Sequence, residues 1–178
     1  LGCSPLTVTL SALSGSNEQF TWVEFGLTGG PQQVVTLSDS GFYQLTLIAT
    51  NTITGCHAQV IEKDYIYVYP SPIASFYADP PKASILDPNI NFINTSQGAT
   101  NYYWDFGDTT SSLLPVVQRT YAHDPLLGNP NTRYMTLTAT DSIGCTANSI
   151  DTVEIWPNII NGDLGASNEI YCSDASPV

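Results

Sequence analysis

Basic side chains are nearly missing from this chain. Its 178 residues carry four lysines and arginines against 16 aspartates and glutamates, a formal charge of −12. A surface of that sign repels phosphate backbones and anionic bilayers, so nucleic acid is excluded as a partner and membrane attachment by charge is disfavoured. No apolar run is long enough to span a bilayer, so membrane insertion is not expected. No leader opens the sequence, which starts at Leu1-Gly2-Cys3 without a methionine and reads as an excised or mature segment of something longer. Catalytic signatures are missing too: no Gly-x-Ser-x-Gly elbow, no His-Glu-x-x-His and no phosphate-cradling glycine loop. His57 and His123 stand isolated, so the chain is not expected to be an enzyme. Lysine, arginine, glutamate and methionine are scarce, and no stretch keeps a 3.6-residue apolar period, which argues against helices.

Thr, Ser, Asn, Val, Ile and Tyr dominate instead, and they favour strands and turns. Leu45-Thr46-Leu47-Ile48-Ala49-Thr50-Asn51 recurs as Met135-Thr136-Leu137-Thr138-Ala139-Thr140-Asp141. Each copy is followed by Ile, Gly and Cys, and then by an alternating strand that ends at Tyr69-Pro70 or Trp156-Pro157. Upstream, Phe20-Thr21-Trp22-Val23-Glu24-Phe25-Gly26 matches Tyr102-Tyr103-Trp104-Asp105-Phe106-Gly107. The tryptophans lie 82 residues apart (22 to 104) and the cysteines 89 apart (56 to 145), so the second copy is the longer. The surplus is expected in an irregular loop from Ala122 to Thr132. Alternation puts Leu6, Val8 and Leu10 on one face, and Met135, Leu137 and Ala139 likewise, as a half-buried antiparallel sheet needs. The expected fold is all-β: two tandem antiparallel β-sandwiches at about 1–70 and 71–157, and a short C-terminal segment, 158–178. Tyr69-Pro70-Ser71-Pro72 would be a stiff connector between them. Glu169-Ile170-Tyr171-Cys172 reads as the first strand of a further module, or as a strand that pairs with an exposed sheet edge on its own chain or a neighbour.

Trp104 and Phe106 are two apart and share a face, which suits the space between two sheets, while Asp105 points outward and Gly107-Asp108 turns the chain. Trp22, Phe25, Trp104, Phe106 and Tyr121 are the expected core residues. The run Tyr103-Trp104-Asp105-Phe106-Gly107-Asp108-Thr109-Thr110-Ser111-Ser112 closely resembles the signature of PKD domains, which are immunoglobulin-like sandwiches. Asn91-Phe92-Ile93-Asn94-Thr95-Ser96 and Arg119-Thr120-Tyr121 sit where that family has its flanking elements. The first copy departs from the pattern: the aspartate after Gly26 is lost. Its opening, Gly2-Cys3-Ser4-Pro5-Leu6-Thr7-Val8, nonetheless resembles bacterial PKD repeats. Such Gly-Cys landmarks resemble those of tandem PKD arrays in Bacteroidota surface proteins, including gliding-motility adhesins of the SprB type and other cargo of the type IX secretion system.

That resemblance implies a stalk, adhesin or filament subunit outside the cell, either secreted or on the cell surface. Its partners would be neighbouring modules of a long chain, other copies of it, glycans or cell surfaces. The alternative is an accessory or carbohydrate-binding region of a secreted hydrolase, with tyrosines such as Tyr67 or Tyr102 as sugar platforms. Four cysteines without C-x-x-C spacing argue for disulfides in an oxidising compartment rather than zinc. Cys3 with Cys56 is one expected pair, worth roughly 4 kcal/mol by loop closure. Leu86 falls where Cys3 should recur, which leaves Cys145 for Cys172, unless Cys172 pairs beyond Val178. No cofactor is certain. Ca²⁺ is the one ion the oxygen-rich surface suits, with Asp105, Asp108, Asp79 and Asp87 as candidate ligands, although EF-hand spacing is absent. Thr109, Ser142 and Thr152 follow aspartates in the short pattern of Bacteroidota O-glycosylation, and Asn94-Thr95-Ser96 is an N-glycosylation sequon.

Overall fold

A computed structural model describes residues 1–122 and 131–156. The strands are β1 (Gly2–Cys3), β2 (Leu6–Ser11), β3 (Glu18–Trp22), β4 (Leu27–Gly29), β5 (Gln32–Leu37), β6 (Gly41–Asn51) and β7 (His57–Tyr69). After a proline-rich joint come β8 (Phe76–Asp79), β9 (Lys82–Ser84), β10 (Asn89–Asn94), β11 (Asn101–Asp105), β12 (Ser111–Ser112), β13 (Val117–Thr120), β14 (Asn131–Thr140) and β15 (Thr146–Trp156). Among the described residues they form four sheets: β1-β7-β6-β3-β4 facing β2-β5, then β12-β11-β14-β15-β9 facing β13-β10-β8. The chain is thus two β-sandwiches in tandem. Most pairings are antiparallel, but β1 runs parallel to β7 and β9 parallel to β15, so each sandwich carries one short parallel edge.

The period of two explains which side chains are inside. Met135, Leu137 and Ala139 on β14 are fully buried, with Tyr134 and Thr138 on the other face. Among the described residues thirteen buried ones make the second core, and Trp104 is its centre: Phe76 meets it edge-on with centroids 5.0 Å apart, and Phe106 stacks at 6.1 Å. The first core is smaller, with seven buried residues around Trp22, Leu45 and Val68.

The two copies of the aromatic motif fold differently. Trp104-Asp105-Phe106 keeps the strand alternation and buries both rings completely. Trp22-Val23-Glu24-Phe25 has one residue more, and Val23–Phe25 closes a single 3₁₀ turn, capped by Gly26 at φ 62°. Phe25 is consequently a half-buried flank of its core rather than a central anchor. Glu24, exposed at the turn, accepts hydrogen bonds from the Thr46 amide at 2.7 Å and the Thr46 hydroxyl at 2.6 Å, and so ties the turn to β6. The expected loop at 122–132 is shorter at its far end, because Asn131 and Thr132 already belong to β14; residues 123–130, including His123, lie outside the described residues.

Candidate functional site

The most distinctive chemistry lies at the joint between the sandwiches. Cys3 is bonded to Cys145, with Cα atoms 5.5 Å apart across 142 residues of sequence. This replaces both expected pairs: Cys56 is exposed and has no disulfide partner among the described residues, and Cys172 lies outside them. The reason is placement. Cys3 sits on β1 beside Tyr69, at the joint end of the first sandwich, whereas Cys56 ends the β6–β7 turn at the opposite end of the long strand β7. The β14–β15 turn, which carries Cys145, is the one that faces the joint. On the chain-entropy account, closing a loop of 142 residues stabilises the folded state by about 5 kcal/mol. Register also corrects the expected counterpart of Cys3: Cys3 pairs with Tyr69 as Ser84 pairs with Trp156, so Ser84, not Leu86, takes its place in the second copy.

The turn that presents Cys145 is shaped by Asp141. Its Oδ1 accepts the amides of Ile143, Gly144 and Cys145 at 2.8, 2.8 and 2.9 Å. Asn51 plays the same part in the first sandwich, accepting the amides of Ile53 and Thr54 at 3.0 Å each. These two residues hold equivalent positions in the repeated segment, a signal present in the sequence that the repeat alone does not mark as turn chemistry. The joint itself is hydrogen-bonded. Ile73 and Gln97 exchange amide–carbonyl bonds of 2.9 Å, the Ser75 amide reaches the Ser96 hydroxyl at 3.1 Å, and Pro72 is buried. Ser71 also donates its hydroxyl to the Ser4 carbonyl. The connector is therefore held on both sides as well as stiffened by proline.

Asp105 and Asp108 serve the turn after the aromatic strand. Asp105 is exposed and accepts the Gly107 amide at 2.9 Å. Asp108 accepts the Thr110 amide at 3.1 Å and its hydroxyl, and pairs with Arg119 at 3.1 Å. Burial pushes the Asp108 carboxyl up, but the Thr110 and Arg119 contacts outweigh it and hold the carboxyl below its ordinary range. Arg119 lies 4.7 Å over the Phe106 ring, so one guanidinium joins the core motif to the turn. A cation already occupying Asp108 opposes a metal ion there. Among the described residues no three His, Cys, Asp or Glu side chains gather to hold a metal, and Asp79 and Asp87 are not brought together with Asp105 or Asp108 in any such group.

Tyr121 is buried, and burial, reinforced by the Asp108 charge, raises its phenol far above the ordinary value, so it stays protonated. Thr109, Ser142 and Thr152 are exposed, and Thr109 has φ 68°, a left-handed conformation that a β-branched residue rarely adopts. Tyr67 and Tyr102 are half-buried rather than free platforms: Tyr67 packs on Phe42 and Tyr69, and Tyr102 packs on the second core. Among the described residues no helix is long and apolar enough to cross a membrane.

No family profile and no curated protein sequence matches the chain. Solved structures share its chain path in part. The PKD1 domain of the Vibrio cholerae metalloprotease PrtV aligns at 22% identity and a TM-score of 0.40, covering 48% of this chain and 98% of that one. The PKD1 domain of Vibrio anguillarum Epp gives 21% and 0.40 over 49% of this chain and 96% of its own. A 1.5-MDa bacterial ice-binding adhesin gives 11% and 0.37 over 87% of this chain and 58% of its own. Likenesses at this level concern the path of the backbone and carry nothing about activity.

Proposed function

We propose that this chain is a non-catalytic structural segment of an extracellular protein, a stalk or adhesin in which tandem sandwiches bear load. The modules would be 1–70 and 71–157, with 158–178 as a tail or the first strand of a further module. The observation that carries this reading is the Cys3–Cys145 bond across a proline joint. A disulfide of that reach fits an oxidising compartment, and it joins the start of one sandwich to the body of the next. Tension applied to the chain ends passes through the sulfur bridge, so it bypasses the first core and in the second loads β15, which follows Cys145 directly. The acidic surface keeps such a chain soluble and apart from nucleic acid. A SprB-like array on a Bacteroidota surface is the parent that the motif resemblance favours.

Small-angle scattering tests the reading. A stapled pair should behave as one elongated, stiff particle whose dimensions barely change with salt. A compact globule, or a broad distribution of joint angles in the oxidised protein, would overturn the load-bearing role.

A further inference from the structure

Cys56 and Cys145 stand at the same place in the two sandwiches. Each comes immediately before the first ladder residue of a long closing strand: His57 pairs with Thr50, and Thr146 with Thr140. Each closes its turn with the same backbone bond. The Asn51 amide donates to the Cys56 carbonyl at 2.8 Å, and the Asp141 amide to the Cys145 carbonyl at 3.0 Å. Each cysteine follows a glycine in the left-handed region, Gly55 at φ 74° and Gly144 at φ 101°. The first turn has one residue more, Thr52 to Gly55 against Ser142 to Gly144, but the shared closing bond absorbs it before the cysteine. Cys145 is bonded to a cysteine of the sandwich before it, Cys3.

The two halves of that staple are placed by different sandwiches. Cys3 lies on β1, level with Tyr69, the last residue of β7, so the donating thiol is set at the joint end of its own sandwich. The receiving thiol is set by the turn of the sandwich that follows. Both halves recur in the sequence. Cys56 repeats the receiving half, and Cys172-Ser173 repeats the Cys3-Ser4 of the donating half. Cys172 falls 15 residues past Pro157 (157 to 172), much as Ser84, the counterpart of Cys3, falls 14 past Pro70 (70 to 84). We infer that Cys56 is the receiving half of a second staple of the same kind, closed by a cysteine on the β1-type strand of a sandwich that precedes this one in its chain. This rests on the tandem, load-bearing reading above. The oxidant is a small disulfide such as that of glutathione. An Sγ–Sγ bond forms between the sandwiches, two thiol protons and two electrons leave, and the oxidant's own S–S bond opens to two thiols. Ser84 carries no sulfur, so the second sandwich has no donating half of its own.

The test lengthens the full chain by one sandwich at the register the strands give. Residues 1–83 are joined ahead of 3–178, so that Lys82-Ala83 takes the place of Leu1-Gly2 and the added sandwich presents its own Cys3 at the new joint. The added Cys56 and the terminal Cys172 are changed to serine, which leaves the added Cys3 with Cys3, Cys56 and Cys145. After oxidation with glutathione disulfide, thiol titration should find no free cysteine. Digestion without reductant should recover two linked pairs, the added Cys3 with Cys56 and Cys3 with Cys145. Cys56→Ser in the lengthened chain should leave one thiol free, that of the added Cys3, while Cys3–Cys145 still forms. The inference is overturned if Cys3–Cys145 forms but Cys56 and the added Cys3 stay free or carry glutathione, or if Cys56 joins two molecules instead. The parent protein, digested as isolated, decides the matter without depending on how the lengthened chain folds. There Cys56 should be bonded to a cysteine N-terminal to Leu1, and a free Cys56, or one bonded to Cys172, overturns the inference. A Cys56 left free in a stiff, elongated particle would sink this inference and leave the load-bearing reading standing, so the two can fail separately.

Discussion

Reducing the Cys3–Cys145 bond should change how far the chain extends under force far more than it changes the fold. Pulled by its two ends in the oxidised state, the chain carries tension from Cys3 straight to Cys145. The stretch that joins them, a sequence separation of 142, spans only the 5.5 Å between their Cα atoms. Freed and unfolded, the same stretch reaches about 500 Å at roughly 3.5 Å per residue. In the presence of reductant the extension should arrive as two releases, because the two cores are separate. The stretch from Cys3 to Tyr69 gives about 230 Å and that from Phe76 to Trp156 about 280 Å. Single-molecule force spectroscopy with and without a thiol reductant, or on Cys145→Ser, reads these lengths directly. Oxidised molecules that release hundreds of ångströms would refute the reasoning. The alternative pairing has its own signature: Cys3 joined to Cys56 would hide only about 190 Å and leave the second sandwich free to unfold. Peptide mapping without reductant distinguishes the two pairings chemically.

Other substitutions probe the turn and the core. Gly107 has φ 67° and a Cβ there would collide with the Tyr134 carbonyl, so Gly107→Ala should cost at least about 2 kcal/mol in urea unfolding. Thr109→Gly should do the opposite and raise stability by about 1 kcal/mol, because a β-branched residue is released from φ 68°; no gain would show that the left-handed position is not strained. Acid should destabilise the protein at the carboxyls held low in the fold. Burial raises the Glu24 and Asp108 carboxyls, but hydrogen bonds from Thr46 and from Thr110 and Arg119 prevail and lower both. Their contribution is complete above the ordinary values of 4.5 and 3.8 and drains away as pH falls through the lower folded values. Thermal melting from pH 7 down to pH 3 should show that loss, and Asp108→Asn should flatten part of it. Trp104→Ala should unfold the second sandwich outright, since it removes about 3–5 kcal/mol of packing from the centre of that core, whereas a second sandwich still folded by near-ultraviolet circular dichroism would deny Trp104 that place.

Much of this molecule was legible in its residues. Alternation at Met135, Leu137 and Ala139 is a local property, dictated by the pleat, and it puts these side chains inside whatever their neighbours are. The repeat works the same way: Asn51 and Asp141, Cys56 and Cys145, Tyr69 and Trp156 hold matching places in the two sandwiches because matching strings fold into matching strands. Distances between parts remote in sequence are not legible in that way. Trp22-Val23-Glu24-Phe25 resembles Trp104-Asp105-Phe106, yet one extra residue becomes a 3₁₀ turn once Glu24 finds Thr46. Cys3 and Cys56 belong to one repeat, and nothing local says that they stand at opposite ends of it.

The sequence by itself determined the all-β class, the two copies, the aromatic centres and the turns, since each follows from a period or a residue type that acts within a few positions. Only the tertiary structure decided the Cys3–Cys145 staple, the role of Ser84 and the 3₁₀ turn at Val23–Phe25. Disulfide partners are facts about which ends and edges meet in space, and strand direction and register set them.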